Sequence, residues 1–364
     1  MPGSGPMIRG HGGNIYDIAQ SIGCSPNDII DMSNNTNPLG IAPGLIEYLK
    51  ENLVVINNHP EVDSKGLVKV FASHHKISED RVLAGNGTTQ FIYTLPLILK
   101  IKKALIVGPT YADYGDACQT HEIDCQYFMA REAELFQPNI MDISACFSDL
   151  DTVFICNPNN PTGSLITGTD LVKLFEAYPK IRFLVDESYL PFTEEYDETT
   201  LIQAGLSNVI VINSFSKIFG IPGLRLGFLI ASSEIIEQFK RLYQPWCVNS
   251  LAQIAGHFLL EHVLADDNFL KKTQAFVVNE RHLLEVSLKN TKSLKPFPSM
   301  ASFILIKIKK DFNAAQLCSI MAKHRVLLRD CSNFTGLSDR FVRISLKSSE
   351  INAMVADKLR EIFA

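Results

Sequence analysis

The chain has 364 residues, of which 46% are apolar and 20% are charged, and its formal net charge is −5. This composition excludes a disordered chain, and the mildly acidic balance offers no basic surface for nucleic acid. At roughly 100–200 residues per domain, the length predicts two domains.

The eight cysteines include no Cys-x-x-Cys pair and no metal-like spacing. Such a pattern is typical of reduced thiols in a cytosol, so we expect a cytoplasmic protein without a metal site. The most apolar stretch, residues 91–108, is interrupted by Lys100, Lys102 and Lys103, and no segment is predicted to span a membrane. Residues 1–6 are expected to be a tag remnant before a native start at Met7.

Short apolar runs alternate with helical patterns through the first two thirds of the chain. The runs are continuous rather than alternating, which is typical of strands buried on both faces. We therefore predict a largely parallel α/β sheet covered by helices on both sides. The predicted strands are 81–84, 104–107, 123–128, 152–156, 181–185, 209–213 and 226–230, and two of the intervening helices are 88–99 and 169–177.

After residue 246 the pattern changes to a long helical stretch over 250–288, followed by a smaller α/β unit. The predicted strands of this unit are 302–308, 326–328 and 341–346, and its predicted helices are 314–324 and 349–363. These patterns predict an N-terminal arm (1–49) that packs with the small domain, a large domain (50–246) and a small C-terminal domain (247–364).

Ligands of open parallel sheets bind beyond the carboxyl ends of the strands, and polar segments follow four of the predicted strands. The first, GNGTTQ at 85–90, precedes a helix whose N-terminus can hold an anion, although an ordinary strand–turn–helix connection would look the same. The second, NPNNPTG at 157–163, presents an asparagine on a rigid turn, and a purely structural turn is its alternative.

The third segment begins with Asp186, a carboxylate that could cap a helix or pair with a cation. The fourth, SFSK at 214–217, places Lys217 at the end of a buried strand. Burial would lower the pKa of this lysine and free its amine to attack a carbonyl, whereas an exposed lysine is the alternative. Arg225 follows eight residues later among glycines and suits a bidentate phosphate contact.

Together these segments supply an anion cradle, an asparagine, an aspartate, a nucleophilic lysine and an arginine. Pyridoxal 5'-phosphate (PLP) requires such a set, because it needs a lysine for its Schiff base and an acid beside its ring nitrogen. Its phenolate oxygen and its phosphate also need hydrogen-bond donors. The combination therefore predicts a PLP-dependent enzyme.

The motifs NPNNPTG, DxxY and SxSKxxGxPGxRxG resemble those of the fold-type I PLP enzymes of the class I/II aminotransferase superfamily over essentially the full chain. The resemblance implies the PLP-dependent transferase (aspartate aminotransferase-like) fold, with a large, mostly parallel sheet domain and a smaller α/β domain. It implies three catalytic residues: Lys217 as the Schiff-base lysine, Asp186 on the pyridinium and Tyr111 on the ring face. The other cofactor contacts that it implies are Gly87, Thr88, Thr89, Ser214, Ser216 and Arg225 for the phosphate, and Asn160 and Tyr189 for the phenolate oxygen.

Two branches of the superfamily share these motifs, the histidinol-phosphate aminotransferases and the threonine-phosphate decarboxylases of cobalamin biosynthesis. The segments 10–15, 32–40, 244–249 and 327–337 resemble the second branch. Its substrates would be O-phospho-L-threonine or O-phospho-L-serine. The implied substrate contacts are His11, Gly12, Asn35, Asn160, Arg329 and Arg343, with Arg343 on the α-carboxylate and His11, Asn35 and Arg329 at the phosphate end.

An aminotransferase remains the alternative, because the same residues serve both reactions. A catalytically silent PLP-fold protein is disfavoured, since Lys217, Asp186 and Arg225 are all present. The resemblance further implies a homodimer with active sites at the subunit interface. His59 stands where the family has a tyrosine that reaches the neighbouring subunit's PLP phosphate, and an imidazole could still donate that hydrogen bond.

Overall fold

A computed structural model describes residues 12–266, 268–310 and 312–364, which form a seven-stranded sheet, a four-stranded sheet and a two-stranded pair. The strands are β1 (Ile30–Asp31), β2 (Val82–Asn86), β3 (Lys103–Gly108), β4 (Asp124–Met129), β5 (Thr152–Cys156), β6 (Arg182–Asp186), β7 (Val209–Ser214), β8 (Leu226–Ile230), β9 (Leu294–Pro296), β10 (Phe303–Ile308), β11 (Val326–Leu327), β12 (Arg329–Asp330) and β13 (Phe341–Ser345). The α-helices are α1 (Ile15–Ile22), α2 (Leu45–Glu51), α3 (Lys65–His75), α4 (Gly87–Ile98), α5 (Ala112–Thr120), α6 (Ile140–Ser144), α7 (Gly168–Ala177), α8 (Tyr196–Thr199), α9 (Phe215–Ile218), α10 (Ser233–Lys240), α11 (Ser250–Phe258), α12 (Asn268–Lys289), α13 (Ala314–Lys323) and α14 (Ser349–Ile362).

The seven-stranded sheet has the order β2-β8-β7-β6-β5-β3-β4. Strands β7, β6, β5, β3 and β4 are mutually parallel, and β8 is antiparallel to both of its neighbours. Every residue of β5 and β7 is buried, as expected for continuous apolar strands with helices on both faces. The mostly parallel sheet predicted from the sequence is confirmed.

This topology gathers several chain segments at one edge of the sheet. Strands β2, β3, β5, β6 and β7 all end there. Because β8 runs in the opposite direction, its first residue lies at the same edge, opposite Asn86 of β2. Arg225, which directly precedes β8, therefore joins the residues that follow the parallel strands.

The four-stranded sheet is antiparallel and has the order β12-β13-β10-β9. Strand β1 of the N-terminal arm pairs in parallel with β11, and the Met32 carbonyl accepts a 2.9 Å hydrogen bond from the Ser345 N–H. These bonds hold residues 33–35 beside β13.

The domain boundaries predicted from the sequence, with an arm at 1–49, a large domain at 50–246 and a small domain at 247–364, remain a prediction.

The helical stretch predicted over 250–288 is present, but it is divided into two separate helices, α11 and α12. A π-helical turn over Leu259–Val263 follows α11, and α12 begins only at Asn268. The carboxylate of Asp266 accepts the Asn268 N–H at 3.0 Å, so a side chain replaces the helical carbonyl at that point. No helix among the described residues is long and apolar enough to cross a membrane.

Candidate active site

A cavity of about 250 Å³ lies at the carboxyl edge of the large sheet, beneath the four-stranded sheet and the arm. Most of the residues that the sequence predicted for the site line this one cavity. They are Gly12, Asn35, Thr88, Thr89, Tyr111, Asn160, Asp186, Tyr189, Ser214, Ser216, Lys217, Arg225, Arg329 and Arg343.

Two predicted residues, His59 and Gly87, are not among the residues that line the cavity, and a third cannot be placed. His11 lies outside the described residues. His59 is exposed and packs against Trp246, with 5.2 Å between the ring centroids. Gly87 has φ 71°, and a Cβ atom at this position would come within 2.5 Å of Arg225 Nη2. A glycine at position 87 is therefore what lets the arginine lie against the start of α4.

The start of α4 and the guanidinium of Arg225 form one end of the cavity. Helix α4 has no side-chain cap at Asn86, so the N–H groups of its first turn are not occupied by a capping side chain. Thr88 and Thr89 belong to this turn and line the cavity. The uncapped helix end and the arginine together create a site for a dianion such as a phosphate monoester.

Lys217 lies on the short helix α9, directly after β7. Its Nζ donates a 3.4 Å hydrogen bond to Asn34 Oδ1. Burial, helped by the positive charges of Arg343 and Arg225, lowers the pKa of Lys217 to about 8. About one tenth of its amine is therefore uncharged at pH 7, and the uncharged form is the one that attacks an aldehyde.

Asp186 ends β6 and is only 4% exposed. Its Oδ1 accepts the Ser188 N–H at 2.9 Å, and its Oδ2 accepts the hydroxyl of Tyr114 at 2.7 Å. Burial raises the pKa of Asp186, and both hydrogen bonds oppose this rise. Because both donors are neutral, the buried carboxylate suits a further, cationic partner, such as the ring N–H of a protonated pyridine.

Arg343 on β13 is also buried, at 5% exposure. It donates to Asn160 Oδ1 and, at 2.6 Å, to the Ser33 carbonyl, and its guanidinium lies 5.2 Å from the Phe303 ring centroid. Its Nε is buried and has no hydrogen-bond partner within the described ranges. A buried guanidinium with neutral acceptors and a vacant donor suits a carboxylate ligand.

Arg329 on β12 lies directly opposite Arg343 on β13. Arg329 is only half-buried, and its Nη2 donates to Asn333 Oδ1 at 2.8 Å. Its guanidinium lies 4.9 Å from the centroid of the Phe334 ring. Two guanidinium groups thus line the same cavity, and both can bind anions.

Asn35 is largely engaged within the protein. Its Nδ2 donates to the hydroxyl of Tyr189 at 3.1 Å, and its Oδ1 accepts from Ser345 Oγ at 2.5 Å. Because the amide group has two N–H donors, one of them remains for a ligand. Asn35 therefore orients Tyr189 in addition to facing the cavity.

Six further residues, none of them among the site residues predicted above, also line the cavity: Ser33, Asn34, Tyr114, Cys156, Ser188 and Phe334. Tyr114 had a detectable signal, because it follows Tyr111 by three residues at the start of a helix, and that spacing places both rings on one face. The residues at positions 33 and 34 carried no such signal, since they reach the cavity only through the pairing of β1 with β11.

The family model described as "Aminotransferase class I and II" matches residues 27–359. The chain belongs to this family. Threonine-phosphate decarboxylase of Salmonella typhimurium is 32% identical over 357 residues, which are 97% of this chain and 96% of that protein. The adenosylcobalamin biosynthesis bifunctional protein CobDQ of Leptospira interrogans is 30% identical over 97% of this chain, and the match spans 41% of that longer protein.

Two solved structures share the fold with a TM-score of 0.84. L-threonine-O-3-phosphate decarboxylase from Porphyromonas gingivalis is 29% identical, and histidinol-phosphate aminotransferase from Clostridium acetobutylicum is 27% identical. Each match covers 92% of this chain and 99% of the other. The protein therefore has the PLP-dependent transferase fold and is a PLP-dependent enzyme of the class I/II family, and the cradle, lysine and buried aspartate of the cavity fit that cofactor.

Proposed function

We propose that the protein is a decarboxylase of a phosphorylated hydroxy amino acid. Its substrate is O-phospho-L-threonine, giving 1-amino-2-propanol phosphate, or O-phospho-L-serine, giving ethanolamine phosphate. Either product supplies the aminoalcohol linker of a cobamide. The observation that carries the proposal is the pairing of Arg329 with Arg343 above the cavity that contains Lys217, because such a substrate presents two anions.

PLP supplies an aldehyde that joins the substrate amine and a cationic ring that accepts the electron pair released at Cα. Lys217 is the residue that we assign to the aldehyde, since burial favours its neutral amine. We assign the cofactor phosphate to the cradle at the start of α4. The cradle residues are Thr88, Thr89, Ser214, Ser216 and Arg225.

The ring is assigned to residues at the ends of three neighbouring strands. Asp186 would face the ring nitrogen, and Tyr111 would cover the ring face. Asn160 and Tyr189 would hydrogen-bond the phenolate oxygen. The hydroxyl of Tyr189 accepts its hydrogen bond from Asn35, so its own proton remains to be donated to that oxygen.

The two arginines would orient the substrate. Arg343 binds the α-carboxylate, while Arg329, Gly12 and the remaining N–H of Asn35 bind the phosphate. Two anchored anions would fix the rotation about Cα and so decide which of its bonds is activated. Lys217, in its protonated form, would deliver a proton to Cα in place of the departing CO₂.

We also propose a homodimer whose active sites lie at the subunit interface. Four apolar side chains in the segment 53–62 are exposed by about half or more: Leu53, Val54, Ile56 and Val62. Trp246 is 51% exposed and packs on His59. The backbone N–H of Trp246 donates a 2.9 Å hydrogen bond to the Val62 carbonyl. A second copy would cover this apolar surface and bring His59 towards the partner's cofactor phosphate. Sedimentation equilibrium would show a species of twice the chain mass, and a monomer would refute the dimer.

An aminotransferase such as a histidinol-phosphate aminotransferase is the second candidate. It is favoured by the solved aminotransferase that superposes on this chain with the same TM-score as the decarboxylase. A transamination would need a 2-oxo acid to complete its cycle, whereas a decarboxylation would not.

The deciding experiment incubates the PLP-loaded protein separately with O-phospho-L-threonine and O-phospho-L-serine, without any 2-oxo acid. We expect catalytic release of CO₂ together with a phosphorylated amine from at least one of them. The matched control is Lys217→Ala, which should release no CO₂ above background. Turnover that requires 2-oxoglutarate and yields glutamate would establish the aminotransferase instead.

A further inference from the structure

Tyr114 contacts two of the residues assigned to the cofactor ring, although the roles above leave it unused. It lies on α5, is 1% exposed and lines the cavity. Its hydroxyl donates to Asp186 Oδ2 at 2.7 Å. Its ring meets that of Tyr111 edge to face, with centroids 5.8 Å apart and planes at 84°. One side chain thus connects the residue at the ring nitrogen with the residue on the ring face.

The hydroxyl of Tyr114 acts on the charge of Asp186. Burial alone favours the protonated, neutral form of that carboxyl group. A hydrogen bond donated to Oδ2 stabilises the carboxylate form, and the Ser188 N–H does the same at Oδ1. Burial also raises the pKa of Tyr114 well above its usual value, so the phenol remains a proton donor at every working pH.

We propose that Tyr114 is a positioning residue that keeps Asp186 ionised and aimed at the cofactor's ring nitrogen while it supports Tyr111 against the ring face. The inference rests on the assignment of Asp186 to that nitrogen, and it holds for either reaction at Cα. A carboxylate that loses this hydrogen bond becomes more basic. It then draws the shared proton from the ring nitrogen and weakens the ion pair that holds the ring.

The test uses Tyr114→Phe, which keeps the buried ring and removes only the hydroxyl. Titration of the apoprotein with PLP should show roughly 10- to 100-fold weaker binding, the loss expected for one hydrogen bond to a charged group. With PLP labelled by ¹⁵N in the ring, the nitrogen signal should move from the protonated towards the neutral position. The matched control is Tyr243→Phe, which removes a 2.9 Å hydrogen bond to the Ala84 carbonyl and should leave that signal unchanged.

A double-mutant cycle with Asp186→Asn separates positioning from packing. If Tyr114 acts through the carboxylate, Tyr114→Phe should weaken PLP binding much less in the Asp186→Asn background than in the wild type. Equal losses in both backgrounds would show a packing role and overturn the proposal. Should Tyr114→Phe not fold, 3-fluorotyrosine at position 114 preserves the shape with a more acidic hydroxyl, and the ¹⁵N signal should then move towards the protonated side.

The role of Tyr114 and the proposed decarboxylase activity can be refuted independently of each other. A wild-type protein that binds PLP with a protonated ring but releases no CO₂ would refute the decarboxylase and leave the role of Tyr114 intact. An identical ¹⁵N signal in the wild type and in Tyr114→Phe would refute the role of Tyr114, whatever the reaction. A wild-type ring nitrogen that is neutral would overturn the assignment of Asp186 and the inference with it.

Discussion

The two sides of the cavity are built differently. The cofactor side comes from the carboxyl edge of a single sheet whose strands β5 and β7 are buried at every residue, and Asp186, Ser214 and Ser216 on it are each less than 5% exposed. The substrate side comes from the arm, from the five-residue strand β13 and from β1, β11 and β12, which are only two residues long. A rigid sheet holds the cofactor in one place, whereas short elements can vary without disturbing it.

The two arginines show the same contrast within the substrate side. Arg343 is buried in a five-residue strand and held by Asn160 and Ser33. Arg329 is half-buried, lies on a two-residue strand and is supported by Asn333 and a phenyl face. In the proposed reaction the carboxylate, which every amino acid has, would bind the fixed arginine. The phosphate, which distinguishes the proposed substrate, would bind the more adjustable one.

The largest expected effect lies on the cofactor side. Lys217→Ala should lose the visible absorbance of the bound cofactor and at least roughly a thousandfold in turnover, because the residue supplies both the covalent attachment and the proton transfer. Absorbance of the purified variant and CO₂ release measure the two losses. A variant that keeps its colour and most of its rate would contradict the assignment, provided that its thermal unfolding matches the wild type.

A smaller loss is expected on the substrate side. Arg329→Ala should raise KM for the phosphorylated substrate by roughly 10- to 100-fold, since it removes a charge-assisted contact, and should leave PLP affinity unchanged. Arg343→Ala is the matched comparison, because it should weaken phosphorylated and unphosphorylated amino acids alike. If Arg329→Ala weakens L-threonine as much as O-phospho-L-threonine, the phosphate role of Arg329 is wrong.

The pH dependence of cofactor attachment tests the lowered pKa of Lys217. With a pKa of about 8, the neutral fraction of the amine rises from about one tenth at pH 7 to about nine tenths at pH 9. The rate at which the apoprotein takes up PLP should therefore rise up to about tenfold over this interval and then level off. A rate that still climbs tenfold per pH unit above pH 9 would show an ordinary, unshifted lysine.

A separate effect, on stability rather than on catalysis, concerns the buried acid next to Asp186. Burial raises the pKa of Glu187 to about 7 from 4.5, so the folded state holds a proton between these values that the unfolded state has released. Stability is therefore lost as the pH rises from 4.5 towards 7, by on the order of 3 kcal/mol. Glu187→Gln can still accept the Leu201 N–H with its Oε1, while its Nε2 would donate to the Thr200 hydroxyl from which Glu187 accepts. The variant should unfold later than the wild type at pH 8, with the difference vanishing near pH 4. Equal unfolding temperatures of Glu187→Gln and the wild type at pH 8 would show that ionising Glu187 does not destabilise the folded state.

The cofactor side was largely predictable from the sequence, because its residues directly follow buried strands in recognisable segments. Arg225 precedes its strand rather than following it. It lies at the same edge of the sheet because β8 runs antiparallel to its neighbours, and the direction of β8 is known only from the sheet topology. Tyr114 was missed because its bond to Asp186 joins residues 72 positions apart. The break between α11 and α12 was missed because the helical pattern of the sequence continues across it. In the structure the Asp266 carboxylate accepts the Asn268 N–H, and this side-chain hydrogen bond stands where a helical backbone bond would be.

The substrate side needed a family resemblance rather than local patterns. Arg329 and Arg343 become neighbours only through the register of β12 and β13, and residues 33–35 reach the cavity only through strand β1. Long-range pairing of such short strands leaves little periodicity in the sequence. The role of His59 stays a prediction, because it depends on a second chain.

The most direct test of the account follows the carbon atoms of O-phospho-L-threonine by NMR in D₂O with the PLP-loaded protein. The account predicts that the carboxyl carbon leaves as CO₂ and that the former Cα of 1-amino-2-propanol phosphate carries a single deuterium from solvent. A substrate that keeps its carboxyl carbon and only exchanges its Cα hydrogen, or becomes a 2-oxo acid, would contradict it.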